Sequence, residues 1–183
     1  LSAADTKPRE PATSAAELYR TYAAFVTSFV RRNGVPPNEV EDVVQETFLV
    51  AHRQGGYRPG PATPKSWLAS IAIRVGISRR RSLKRKRRRE ELGGAALAPN
   101  AVADPEQATE QQAMLRRMQE ALDALDANKR EVFILFELEG EDCSSIAAAL
   151  NVPVGTVYSR LHGARKNFMA HMNELLQQQE ASQ

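Results

Sequence analysis

The chain has 183 residues, 25 of them Lys or Arg and 22 Asp or Glu, for a formal net charge of +3. Its 42% hydrophobic and 26% charged content suits one medium or two small globular domains and argues against wholesale disorder. The single cysteine, Cys143, excludes an intramolecular disulfide framework and a cysteine-based zinc site, and the sequence has no apolar run of membrane-spanning length. The charge is unevenly placed. Positions 74–91 hold ten Lys/Arg and two Glu, +8, which leaves 15 basic and 20 acidic residues, −5, for the rest. A basic block on an otherwise acidic chain points to a polyanion site.

Residues 1–13 are rich in Ala, Pro, Thr and charge and read as a disordered lead-in, without the apolar core of a signal peptide. The expected compartment is therefore the cytosol. Ser14-Ala-Ala-Glu17 has capping-box spacing, and Leu18, Tyr22, Phe25 and Phe29 follow at helical intervals up to Asn33-Gly34. Asn38-x-x-Glu41 reads as the opening of a second helix with a stripe of Val40, Val43, Val44, Phe48 and Ala51, ended by Gly55-Gly56. Tyr57–Pro64 carries three prolines and a glycine and reads as a fixed loop. Thr63-Pro64 is an N-cap and first-position pair for a third helix, which buries Trp67, Leu68, Ile71 and Val75 and then runs into the basic block Arg79–Arg89.

Between Leu92 and Gln112 the composition turns to Gly, Ala, Pro and acid, as in a flexible linker. A second helical unit starts near Ala113, with Leu115, Met118, Leu122 and Leu125 at three- and four-residue spacing. Asp126 caps the next helix, with Val132, Phe133, Leu135 and Phe136 as its core face and Gly140 as its end. Asp142 caps a short helix bearing Ile146, Ala147 and Leu150; Asn151 forms the turn, and Pro153 starts a last helix with Val157, Leu161, Ala164 and Phe168. No strand is needed. The expected fold is all-α: two small helical domains, 14–91 and 113–178, joined by a linker at 92–112.

The last two short helices have the dimensions of a helix-turn-helix. Their shared core leaves Thr156, Tyr158, Ser159, Arg160, His162 and Arg165 on the outer face, where such side chains reach phosphates or base edges in a major groove. By periodicity alone a plain helical hairpin fits equally well. The basic block continues an anchored helix, which favours a nucleic-acid platform over a solvated tail. Trp67 lies on an apolar stripe and reads as core, whereas Tyr57, in the loop, is the better candidate for stacking on an unpaired base. Catalysis has no support. His52, His162 and His171 lack metal-ligand spacing, no phosphate-cradling or nucleophile motif is present, and Cys143 reads as a small core residue. No cofactor or metal is expected, and the chain is not read as an enzyme.

Three segments carry a family resemblance. Asp42-Val-Val-Gln-Glu-Thr-Phe-Leu-Val-Ala51 resembles the signature helix of bacterial sigma factors of the sigma-70 family. Pro64-Lys-Ser-Trp-Leu-Ala-Ser-Ile-Ala72 follows in the family's order, and Pro153-Val-Gly-Thr-Val-Tyr-Ser-Arg-Leu-His-Gly-Ala-Arg165 resembles the promoter-reading helix. The two-domain length is similar to the extracytoplasmic-function (ECF) group. The resemblance implies a sigma2-like bundle that docks on the clamp helices of the largest subunit of core RNA polymerase through Asp42, Gln45, Glu46, Leu49 and Arg53. It implies that the −10 element is read and melted by Tyr57, Arg58, Lys65, Arg74, Ser78, Arg79 and Arg80. A sigma4-like domain then reads the −35 element through Thr156, Tyr158, Ser159, Arg160, His162 and Arg165.

The implied partners are core polymerase, promoter DNA and an anti-sigma factor that restrains the protein and could hold it at the membrane without direct insertion. The linker, with Asp104 and Glu106, is expected to thread polymerase channels. The sequence departs from the pattern at Ser145, where Glu is usual, at Tyr158, where Lys is common, and at Gly163, where Arg is common. The alternative is a stand-alone helix-turn-helix regulator with a sensing or dimerising first domain.

Overall fold

The computed structural model describes residues 12–92 and 110–180, with side chains except at 80–92 and 179–180. Seven α-helices account for nearly all of it: α1 (Ala15–Arg32), α2 (Pro37–Arg53), α3 (Pro64–Leu92), α4 (Glu110–Asp123), α5 (Ala127–Phe133), α6 (Cys143–Leu150) and α7 (Val154–Glu180). The helix α5 continues without a break into a π-helical turn, Ile134–Leu138.

Helix α1 begins as a full capping box. The Glu17 amide donates to Ser14 Oγ at 3.3 Å, and the Ser14 amide donates to the Glu17 carboxylate at 2.9 Å. Leu18, Val26, Phe29 and Val30 form its buried stripe. Helix α2 corrects one expectation. Its first residue is Pro37, preceded by Pro36 in extended backbone, so Asn38 lies inside the helix and caps nothing. Proline at the first position needs no amide partner and has the helical φ already set. The expected stripe of Val40, Val43, Val44, Phe48 and Ala51 is buried.

The chain between α2 and α3 is pinned to the start of α1. Thr13 and Tyr57 exchange backbone hydrogen bonds of 2.8 and 3.0 Å. Thr13 therefore belongs to the folded unit and not to a disordered lead-in. Gly56 permits this contact: its φ is +83°, and a Cβ there would collide with the Thr13 carbonyl oxygen. Thr63 then caps α3 through the Ser66 amide at 3.1 Å. Helix α3 runs 29 residues, well into the basic block, and buries Leu68, Ala69, Ile71 and Ala72 against α1 and α2.

Helix α4 starts at Glu110, earlier than expected, and residues 93–109, including Asp104 and Glu106, lie outside the described part. Leu122 and Leu125 are buried as expected, but Leu115 is 59% exposed and Met114, beside it, is 42% exposed, so the apolar residues of the first turns of α4 are not covered as those of its end are. Asp126 caps α5 through the Lys129 amide at 3.0 Å, and Asp142 caps α6 through the Ser144 and Ser145 amides at 2.9 Å each. Asn151 turns the chain between α6 and α7 in the left-handed region, φ 54° and ψ 51°. Helices α4, α5 and α6 all pack on α7. The two groups, α1–α3 and α4–α7, also touch one another: α6 meets α3, and α4 meets α1, and their buried side chains form one continuous cluster.

Candidate nucleic-acid interface

On α2 the apolar stripe faces inward and fixes what faces out. Asp42, Gln45, Leu49 and Arg53 are exposed and Glu46 is half-buried, all on the outer side. Leu49, at 42% exposure, is an apolar side chain left among charged neighbours. Two of these groups are engaged with basic partners. Glu46 pairs with Arg53 at 3.1 Å, and Asp42 pairs with Arg79 of α3, which also lies 3.5 Å from Glu39. A residue expected to meet polymerase and one expected to meet DNA are therefore neighbours.

The residues expected at the −10 element fall into two groups along α3. Arg74, Ser78 and Arg79 line a groove of about 460 Å³ between α2 and α3, shared with Glu46, Val50, Ile71 and Val75. Arg58 and Lys65 lie at the other end, about 21 Å away by the rise from Lys65 to Arg79, roughly the span of six stacked nucleotides. Arg80 is on α3, but its side chain is outside the described part. Tyr57 departs from the expectation of an accessible stacking ring. It is 9% exposed, its hydroxyl donates to the Ala62 carbonyl at 2.7 Å, and its ring meets Trp67 edge-on at 5.7 Å. The loop needs that ring as a brace, because its prolines offer few amide donors.

The second surface is on α7. Val157, Leu161 and Ala164 are buried, so Tyr158, Ser159, His162 and Arg165 project outward, with Thr156 and Arg160 half-buried beside them. Tyr158 is 60% exposed. Arg165 is held from behind: Glu137 accepts from its Nε at 2.5 Å, and its guanidinium lies 5.3 Å from the centre of the Phe136 ring. Its two terminal NH2 groups remain for an anion. The π-helical turn, which no sequence pattern announced, carries both Phe136 and Glu137.

Gly163 also has an explanation in the structure. A Cβ at that position would lie 3.0 Å from Lys129 Cε, so the Lys129 side chain crosses α7 there. Lys129 thus brings a cation beside Gly163, held 2.8 Å from Asp126. The contact pairs positions 34 residues apart in sequence, so spacing could not reveal it.

Shifted groups lie at the starts of α5 and α6. A hydrogen bond with Lys129 is the main reason that the Asp126 carboxyl lies below its ordinary range; the charges of Lys129 and Arg160 act in the same direction. Burial pushes the Cys143 thiol up and Asp142 adds to that, against the smaller opposing effects of Arg165 and a hydrogen bond with Tyr158. A raised thiol suits a packing role. Among the described residues, no cluster of His, Cys, Asp and Glu could hold a metal ion, and no helix is long and apolar enough to cross a membrane.

Comparison with known proteins decides the family. Residues 18–86 match the family described as sigma-70 region 2, and residues 115–168 match sigma-70, region 4. The RNA polymerase sigma factor CnrH of Cupriavidus metallidurans is 31% identical over 165 residues, which cover 84% of each chain. The chain belongs to the sigma-70 family. The ferric citrate uptake sigma factor FecI of Escherichia coli is 32% identical over 146 residues, covering 76% of this chain and 80% of its own. Among solved structures, the sigma factor RpoE from Bartonella quintana, in complex with the anti-sigma factor NepR, superposes with a TM-score of 0.64 at 25% identity over 88% of this chain and 96% of its own. This sigma factor is of the ECF type and is not itself an enzyme. Two sigma-70 regions in family order disfavour a stand-alone regulator.

Proposed function

We propose that this sigma factor docks on core RNA polymerase through the outer face of α2, opens the −10 element along α3, and reads the −35 element with α7. The observation that carries this division of labour is the split of accessible polar groups. Acidic and apolar groups face out on α2, basic groups line α3, and a helix-turn-helix face with Arg165 held in place lies on α7. Melting costs a few kcal/mol per unstacked base, which phosphate contacts along α3 offset. The functional units correspond to residues 14–91 and 113–178, with the linker threading polymerase channels between them. The protein works in the bacterial cytoplasm, where an anti-sigma factor restrains it and holds it at the membrane without direct insertion. The complex of RpoE with NepR supports that restraint.

Run-off transcription with core polymerase over a random promoter library tests the reading. The expected result is enrichment of two short motifs at a fixed spacing, only when the sigma factor is present. Sequence-specific binding to palindromes without polymerase, and no effect on transcription start, would overturn it.

A further inference from the structure

The two groups of helices meet through a short turn, Glu139-Gly140-Glu141, between the π-helical turn and α6. Both carboxylates point into the first group. Glu139 accepts from Arg32 Nη1 at 2.8 Å and lies 3.7 Å from Lys65 Nζ, which also donates to the Glu139 carbonyl at 3.4 Å. Glu141 is 9% exposed and accepts from Ser66 Oγ at 2.6 Å and from the Thr63 hydroxyl. Ser145, which stands where the family usually has Glu, closes the cluster: its Oγ accepts from the Thr63 amide at 2.9 Å and lies 3.4 Å from the Glu141 carboxylate.

These groups are those a phosphate would use. Two cations, two hydroxyls and the positive end of a 29-residue helix converge on one place, and two carboxylates are seated there. The same loop and Lys65 are the parts assigned above to the −10 element, and the inference rests on that assignment. We propose that the Glu139–Glu141 turn is an internal mimic of DNA phosphate, which covers an anion site at the head of α3 until the two halves separate.

Distance makes the separation necessary. Positions −35 and −10 differ by about 25 base pairs, which is about 85 Å along the duplex at roughly 3.4 Å per base pair. Thr63 is bonded to Ser145, and the nine residues from Ser145 to Val154 span at most about 32 Å even when extended. In the closed form the two DNA-reading surfaces therefore cannot reach both elements. The clasp is also reversible by construction. A buried carboxylate held by hydroxyls regains full hydration on opening, so the polar clasp itself adds little net energy against release, beside the shared apolar contact.

The test uses the full chain and a fluorescein-labelled, random-sequence, single-stranded 20-mer, because phosphate contacts carry no sequence information. Glu139→Gln/Glu141→Gln should tighten binding by about tenfold. Glu120→Gln/Glu174→Gln removes the same charge from exposed sites and should tighten it far less; an equal gain from both pairs would reduce the turn to bulk charge and overturn the proposal. Thr63→Cys/Ser145→Cys in a Cys143→Ser background replaces oxygens 3.3 Å apart by sulfurs, within a small shift of a disulfide. Oxidation should weaken oligonucleotide binding about tenfold and abolish promoter-directed transcription, both restored by reductant. Failure to cross-link, or unchanged binding and transcription when cross-linked, would overturn it. The underlying assignment fails separately: Arg58→Ala/Lys65→Ala without loss of oligonucleotide affinity would remove the loop from DNA altogether.

Discussion

Arg160, Arg165 and Lys129 show how single side chains on one surface do different work. Arg165 is fixed by Glu137 and stacked near Phe136, so little rotamer freedom remains to be lost when it meets an anion. Arg160 is half-buried beside the α5 cap, where its charge helps to lower the Asp126 carboxyl. Lys129 reaches across Gly163 from another helix. Base-edge and phosphate contacts then separate experimentally. Arg160→Ala should cost about 1–3 kcal/mol in binding of the holoenzyme to a duplex carrying its −35 motif, with affinity for core polymerase unchanged. Competition for core enzyme and gel shift on the same preparation check this; equal loss of both would make Arg160 structural. Lys129→Ala should weaken duplex binding evenly across sequences and lower the slope of log affinity against log salt by about one. A sequence-dependent loss would instead give Lys129 a reading role.

At the scale of helices, local chemistry was the legible part. Ser14, Thr63, Asp126 and Asp142 each cap the helix that their spacing announced, because a cap needs only the next two or three amides. Asn151 adopts the left-handed turn for an equally local reason. Asn38 misled because two prolines set the helix start before a side chain could. The π-helical turn and the cover over Gly163 were not legible, since both depend on packing against distant residues. Tyr57 was misplaced likewise: its burial follows from the bridge to Thr13, 44 positions away. The Asp126 cap has a pH signature. Its folded pKa is depressed, so the stabilisation is present above the ordinary aspartate range and is lost as pH falls through the lowered value. Asp126→Asn should flatten that acid limb in urea denaturation, while Asp126→Ala should cost about 1 kcal/mol at neutral pH. An unchanged acid limb would mean that the carboxylate is not what holds the start of α5.

Across the whole molecule, the opposed charges are arranged by contact as well as by sequence. Acids of α2 hold Arg79 of α3, and acids of the Glu139–Glu141 turn hold Arg32, Lys65 and the head of α3. Further cross-contacts join in: Gln119 donates to the Arg32 carbonyl at 3.3 Å, and the Arg130 guanidinium lies against Gly34, where the backbone has a φ of +75° and a Cβ would sit 2.8 Å from Arg130 Nη1. The contacts between the two units join residues 74–107 positions apart in sequence, which is why the division into two units could be read from composition while their association could not. The buried apolar cluster also runs through both units. Two kinds of coupling, polar clasp and shared apolar contact, therefore hold the halves together, and unfolding distinguishes them. If the clasp dominates, the wild-type chain melts in one calorimetric transition, and Glu139→Gln/Glu141→Gln splits it into two, because each half keeps its own capped helices and buried core. If the variant still melts in one transition with equal calorimetric and van't Hoff enthalpies, the apolar contact alone couples the halves, and release of the clasp would not be enough to part them.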